Sequence, residues 1–162
     1  MNASARNLPL KRQTASSGFT LIELMVTIAV LAIIVSIAAP NISTQLANQR
    51  VKSTAATLAN ALKEAKVESV IRRQPLIVSL DNSKHNILIS SRNAGSNPIA
   101  IYTYNTKNII TPNVSNPPIT FSPSKRADAI TYTVCDSEKS SVASQVIVTA
   151  VANISTVAGG TC

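Results

Sequence analysis

Gly18-Phe19-Thr20-Leu21-Ile22-Glu23-Leu24-Met25-Val26-Thr27-Ile28-Ala29-Val30-Leu31-Ala32-Ile33-Ile34-Val35-Ser36-Ile37-Ala38-Ala39-Pro40 is the stretch on which the fold turns. Read as a helix, Phe19 to Ala39 rises about 30 Å, close to the hydrocarbon thickness of a bilayer. Arg6, Lys11 and Arg12 lie upstream with no acid among them. That asymmetry keeps the leader on the cytoplasmic side and sends the C-terminal part across the membrane. A conventional secretory signal places a small-residue cleavage site after its apolar region, and Ala38-Ala39 loosely meets that requirement. A glutamate at the front of the apolar run does not belong in such a signal.

Glu23 is therefore the informative residue. A carboxylate in this position costs a few kcal/mol on insertion scales unless a cation meets it. A new N-terminus at Phe19 would supply an ammonium four residues away, and a neighbouring subunit is a second source. Alternatively, the side chain simply reaches the headgroup layer. The residues alone do not choose between these.

Gly18-Phe19-Thr20-Leu21-Ile22-Glu23-Leu24, set between a basic leader and an apolar helix, resembles the processing signature of type IV prepilins and type II secretion pseudopilins. The resemblance implies that a prepilin peptidase cuts after Gly18 and that Phe19 becomes the N-methylated terminus. It implies a packing role for Glu23, which in that family neutralises a neighbour's N-terminus in the growing filament. Pro40 falls where pilin helices kink or locally melt, in keeping with proline's missing N–H. The implied location is a single pass through the bacterial inner membrane with the head in the periplasm, then a pilus or pseudopilus filament. The implied partners are other minor pilins or pseudopilins and a major pilin.

Helical period resumes after Pro40. Val51, Ala55, Leu58, Leu62 and Ala65 form one apolar stripe, while Arg50, Lys52, Lys63, Glu64, Lys66 and Glu68 lie mostly off it. Glu68 and Arg72 are four apart in the favourable order. Pro75 stops the helix, so the spacing predicts one spine over about 19–73. The run Glu64-Ala65-Lys66-Val67-Glu68-Ser69-Val70-Ile71-Arg72-Arg73-Gln74-Pro75-Leu76-Ile77-Val78 is similar to the helix end and first strand of the GspH/FimT family of minor pilins and pseudopilins. Lys66 and Val67 depart from that family's common residues.

Beyond Pro75 the pattern changes to short β segments separated by turn chemistry. Leu76 to Leu80 and Ile87 to Ser90 flank a polar hairpin connection. Ile99 to Tyr104, Ile119 to Ser122, Ile130 to Cys135 and Gln145 to Val151 read as further strands, with Asn153 to Val157 as one more. Thr111 to Pro118, with three prolines, and Ser137 to Ser144 read as loops. The expected class is α+β: a long N-terminal spine packed on a small antiparallel sheet, or two. The expected division is a leader over 1–18, a transmembrane and assembly helix over 19–40, an amphipathic helix over 41–74 and a β-rich head over 75–162.

Composition fits this division. Of 162 residues 45% are hydrophobic and 14% charged, so a packed core is within reach, but at 3% aromatic it must be built from Val, Ile, Leu and Ala. Removing the three leader cations reduces 15 basic residues to 12 against 7 acids, so the formal charge falls from +8 to +5. That is mildly basic and does not by itself demand a phosphate-bearing partner. In an exported head the two cysteines, Cys135 and Cys162, are expected to pair. The bridge would close 28 residues, counting both ends, and contribute roughly 3–4 kcal/mol.

The inventory does not favour an enzyme, a cofactor or a metal centre. The single histidine, His85, lies in a polar turn with no acid–base partner in view and reads as solvated. Two thiols and one imidazole leave tetrahedral zinc short of ligands. Asp128, Asp136 and Glu138 match no EF-hand spacing and read as surface charges. Among the glycines only Gly95, Gly159 and Gly160 lie beyond the leader, too few for a phosphate loop. Some FimT-like pilins bind DNA, which the resemblance assigns to a Gly-Arg-x-Arg-like motif near the C-terminus. Here no basic residue follows Lys139, so DNA contact would fall to Lys107, Lys125 and Arg126. The leading expectation is a minor pilin of a type IV pilus, in the tip complex that primes assembly. A minor pseudopilin of a type II secretion system is the alternative, and a DNA receptor the third.

Overall fold

A computed structural model describes residues 18–92, 97–115, 118–138 and 142–162, without the side chains of 38–41. The leader cations Arg6, Lys11 and Arg12, together with Gly95, Lys139 and the side chain of Pro40, lie outside the described residues. The chain divides between Ala39 and Pro40 into two compact units. The helix α1, Leu21–Arg72, contributes to both.

In the second unit, α1 buries a stripe wider than the sequence pattern suggests. Val51, Ala55, Leu58, Leu62 and Ala65 are at most 1% exposed, and Ala47, Thr54, Ala61 and Ser69 join them. Small side chains at this spacing let a sheet approach the helix closely. The helix ends through backbone chemistry before Pro75 is reached. Arg73 takes a left-handed φ of 53°. Its N–H donates to Val70 O (3.3 Å), and the Gln74 N–H donates to Ser69 O (3.2 Å). This two-bond closure is usually made by glycine; here arginine occupies the left-handed position. Glu68 and Arg72 pair at 2.6 Å as their spacing predicts.

Nine strands follow among the described residues: β1 (Leu76–Asp81), β2 (Asn86–Ser91), β3 (Ala100–Thr103), β4 (Asn108–Pro112), β5 (Ile119–Ser122), β6 (Arg126–Ala127), β7 (Ile130–Asp136), β8 (Ser144–Val148) and β9 (Ile154–Ala158). They form two antiparallel sheets, ordered β3-β2-β1-β5-β6 and β4-β7-β8-β9. The buried positions alternate along β2 and β7, as one-sided burial requires. Leu76, Val78, Ile87, Ile89, Ile119 and Phe121 from the first sheet and Ile110, Ile130, Tyr132, Val134, Val146 and Val148 from the second meet the helix stripe in a single cluster. The expected α+β class is what forms, with two sheets.

Four details differ from the sequence reading. The proline-rich stretch begins with a strand, β4, and Pro112 is tolerated there because β4 is an edge. Asn82 Nδ2 donates to Ile110 O (3.1 Å), which further occupies that edge. The segment expected to continue to Val151 stops at Val148, because Thr149 to Asn153 turns back: the Ala152 N–H donates to Thr149 O (2.8 Å) and Ala152 has φ 54°. His85, read as solvated, is only partly exposed, with its ring edge-on to Tyr104 at 5.5 Å between centroids. Asp136 is not a surface charge. It is the last buried position of β7, and Arg50 of the helix donates to its Oδ2 through Nε (3.0 Å) and a terminal nitrogen (2.8 Å).

That ion pair anchors a small polar network. The Glu138 N–H donates to Asp136 Oδ1 (3.1 Å). Asn108, paired with Asp136 in the β4–β7 register, donates through Nδ2 to Arg50 O (2.8 Å) and Thr54 Oγ1 (2.7 Å). Beside it, Cys135 and Cys162 form a disulfide with Cα atoms 5.7 Å apart, fastening the segment after β9 to β7. The Asp136 side chain is fully buried, so removing its partner strands a charge. In urea unfolding of the unit from Pro40, Arg50→Ala or Asp136→Ala should each cost about 3–5 kcal/mol, while Arg50→Met with Asp136→Leu should restore most of it.

Two core tyrosines make stability pH-dependent at the alkaline end. Burial, assisted by the Asp81 charge, pushes the Tyr104 hydroxyl up to about 12. Burial, with Asp128 nearby, raises Tyr132 further. An unfolded tyrosine loses its proton near pH 10 while the folded head retains it. Stability should therefore be intact below about pH 10 and fall as pH climbs toward 12, by at most about 1.4 kcal/mol per pH unit for each tyrosine. Urea midpoints that stayed level from pH 9 to 11.5 would contradict this.

Candidate functional site

The start of α1 is built by a short cap. Thr20 precedes the first helical residue, and its Oγ1 accepts the Glu23 N–H at 3.2 Å. The Leu24 N–H donates to Thr20 O at 3.2 Å, closing the first turn. Thr20-x-x-Glu23 has capping-box spacing, a signal that the sequence carries in plain view beside the more conspicuous apolar run. The cap also explains why the helix starts at Leu21 and not at 19: Gly18, Phe19 and Thr20 lead into it in non-helical conformation. Glu23 falls in the first turn, where the helix dipole favours an acid. Among the described residues no cation pairs with its carboxylate.

Every described side chain from Leu21 to Ile37 is exposed. Phe19 is 82% exposed, Leu21 76% and Ile33 61%. A helix apolar on all sides is a helix meant for lipid or for other helices. Its two hydroxyl side chains are satisfied internally: Thr27 Oγ1 donates to Leu24 O (2.8 Å) and Ser36 Oγ to Ile33 O (2.7 Å). This arrangement suits a surrounding without water. Among the described residues no single helix is long and apolar enough to cross a membrane; Leu21–Ile37 passes only together with Ile42–Arg72.

The basic residues singled out for DNA do not share one surface element. Lys107 precedes β4 in the second sheet, and its Nζ is paired with Glu138 Oε2 at 2.7 Å. Lys125 and Arg126 lie on the β5–β6 turn of the first sheet, exposed, with Lys125 at φ 60°. Sequence reasoning misses Arg92, which lines the same cleft as Arg126. Strand register is what brings them together, and register is hard to read from one sequence.

Comparison with known proteins agrees with both parts of the chain. Residues 14–39 match the prokaryotic N-terminal methylation motif. Residues 54–152 match the family described as type II transport protein GspH. Two crystal structures of the type IV minor pilin FimU of Pseudomonas aeruginosa share the fold. One has TM-score 0.57 at 14% identity over 66% of this chain and 87% of its own. The other has TM-score 0.56 at 16% identity, over 65% and 90%. The minor pseudopilin EpsH from the type 2 secretion system of Vibrio cholerae has TM-score 0.56 at 12% identity, over 67% and 97%. No curated protein matches. Mass spectrometry of the membrane-extracted chain should find a mature terminus at Phe19 carrying one extra methyl group, and Gly18→Val should leave the leader attached.

Proposed function

The chain belongs to the GspH family of type II transport proteins, and from that premise we propose that it is a minor pilin of a type IV pilus, part of the tip complex that primes assembly. The work it does is structural and not catalytic. The leader holds the precursor for the peptidase, which cuts after Gly18 and methylates Phe19. The apolar half of α1 anchors the chain in the inner membrane, with Pro40 as the point where the helix yields on entering the filament. Glu23 then meets the N-terminal ammonium of a neighbouring pilin. The observation that carries the reading is the fully exposed apolar helix bearing, among the described residues, one unpaired carboxylate at the fifth position after Gly18.

The same features serve a minor pseudopilin of a type II secretion system, a second reading favoured by the family's description and by the likeness to EpsH. Deleting the chain separates the two: a pilin deletion removes surface pili, a pseudopilin deletion stops protein secretion. A DNA-receptor role through Lys107, Lys125 and Arg126 has less support, since Lys107 is already neutralised by Glu138. Glu23→Ala should reduce surface pili and twitching nearly as far as deletion does, with the chain still present in the membrane. Normal piliation in that strain would sink the proposed role.

A further inference from the structure

Strand register gathers unpaired cations at one end of the first sheet. Leu76 pairs with Ser91 on one side and with Phe121 on the other, and Ser122 pairs with Arg126. Ser91 and Phe121 are buried, so alternation puts Ser122, Thr120 and Arg126 on the opposite, outer face. Arg92, next after Ser91, reaches the same place: Arg92 and Arg126 line one open cleft with Thr120, Ser122, Ala127 and Asp128. The helix ends nearby, since the Ser69 hydroxyl lies 3.5 Å from Ser122 O, and Arg73 follows it. Arg50, Arg72 and Lys107 are each matched by a carboxylate. Among the described residues Arg73, Arg92, Lys125 and Arg126 are not, and neither are Lys52, Lys63, Lys66 and Lys84.

The lining says what kind of anion fits. A site for a bare polyanion gains nothing from a carboxylate among its arginines, yet Asp128 stands there, held by the Thr120 N–H on Oδ2 at 3.0 Å. Its other oxygen has no partner among the described residues and is available as an acceptor. Among the described residues no aromatic ring lines the cleft to offer a platform on which a base could stack. Among the described residues Ala127 is its one apolar residue, too little for the buried centre of a protein interface. Guanidiniums for an acidic group, with hydroxyls and a carboxylate for several alcohols, match a sugar acid or sugar phosphate.

We propose that the cleft between Arg92 and Arg126 binds an acidic saccharide, its anionic group held by the two guanidiniums and its hydroxyls by Asp128, Thr120 and Ser122. This site lies outside the filament-forming helix and does not depend on which secretion or pilus system the chain serves. Raising ionic strength weakens it by screening, since both arginines are exposed.

The full mature chain in detergent micelles, titrated with fluorescent oligogalacturonate at low ionic strength, should show saturable binding that neutral dextran does not displace. Displacement by mannose 6-phosphate would extend the accepted anion to phosphate; its failure would restrict the site to carboxylate. Arg92→Ala and Arg126→Ala should each weaken binding about tenfold, with circular dichroism unchanged. Asp128→Asn keeps an acceptor and should bind nearly as well as the parent. Asp128→Ala should bind several-fold more weakly, whereas a general anion patch would bind more tightly once that charge is gone. Such tightening, equal competition by dextran, indifference to both arginine substitutions or a preference for duplex DNA would each overturn the assignment.

Discussion

The stretch of α1 from Leu21 to Ile37 buries none of its side chains, and that sets the terms for the rest of this protein. From Leu21 to Ile37 everything except Glu23, Thr27 and Ser36 is apolar, and all of it is exposed. At about 25 cal/mol per Å² of apolar surface, keeping such a helix in water is strongly unfavourable. Under the proposed function its side chains are covered by lipid, or by the same kind of helix from other subunits. Both environments demand a backbone and side chains already satisfied within the helix, which the Thr20 cap and the Thr27 and Ser36 hydroxyls provide.

The second half of α1 solves the opposite problem. It must hold a head whose two sheets share one helix stripe. Alanines at 47, 55, 61 and 65 keep the stripe thin, and the branched residues of the strands fill the space above it. The shared core would tolerate sliding of one sheet along a smooth helix. The Arg50–Asp136 pair and the Asn108 amide fix the second sheet at one height, while Tyr102, donating to Glu64, ties the first. The disulfide then holds the last strand's end to β7, where chain ends otherwise fray.

Much of this architecture is legible in the order of the residues. The apolar run, the stripe from Val51 to Ala65 and the Glu68–Arg72 pair follow from periodicity, which is local. The disulfide is the one intramolecular pairing that two cysteines allow. What is not legible depends on partners distant in sequence. Asp136 looks like a surface charge because no base beside it in the chain is its partner; that partner, Arg50, is 86 residues away. β4 is hidden because prolines signal loops unless a strand is known to lie at an edge, and edge position is a property of sheet order. Arg92 and Arg126 belong to segments separated by other strands of the sheet, so no local pattern could join them.

Glu23 illustrates how local and intermolecular demands divide. As the third helical residue after a threonine cap it stands at capping-box spacing, where a glutamine would serve equally well. The charge adds only about 0.3–1 kcal/mol by its interaction with the helix dipole. Against that stands a cost of a few kcal/mol for a carboxylate on a membrane helix. The local benefit does not offset the cost, so the charge itself calls for a cation. Among the described residues there is none beside it. If the leader is cut after Gly18, the nearest source is an N-terminal ammonium, its own or a neighbour's. Under the proposed function, only the neighbour's also selects a register between subunits, which would give an otherwise costly residue a use in assembly.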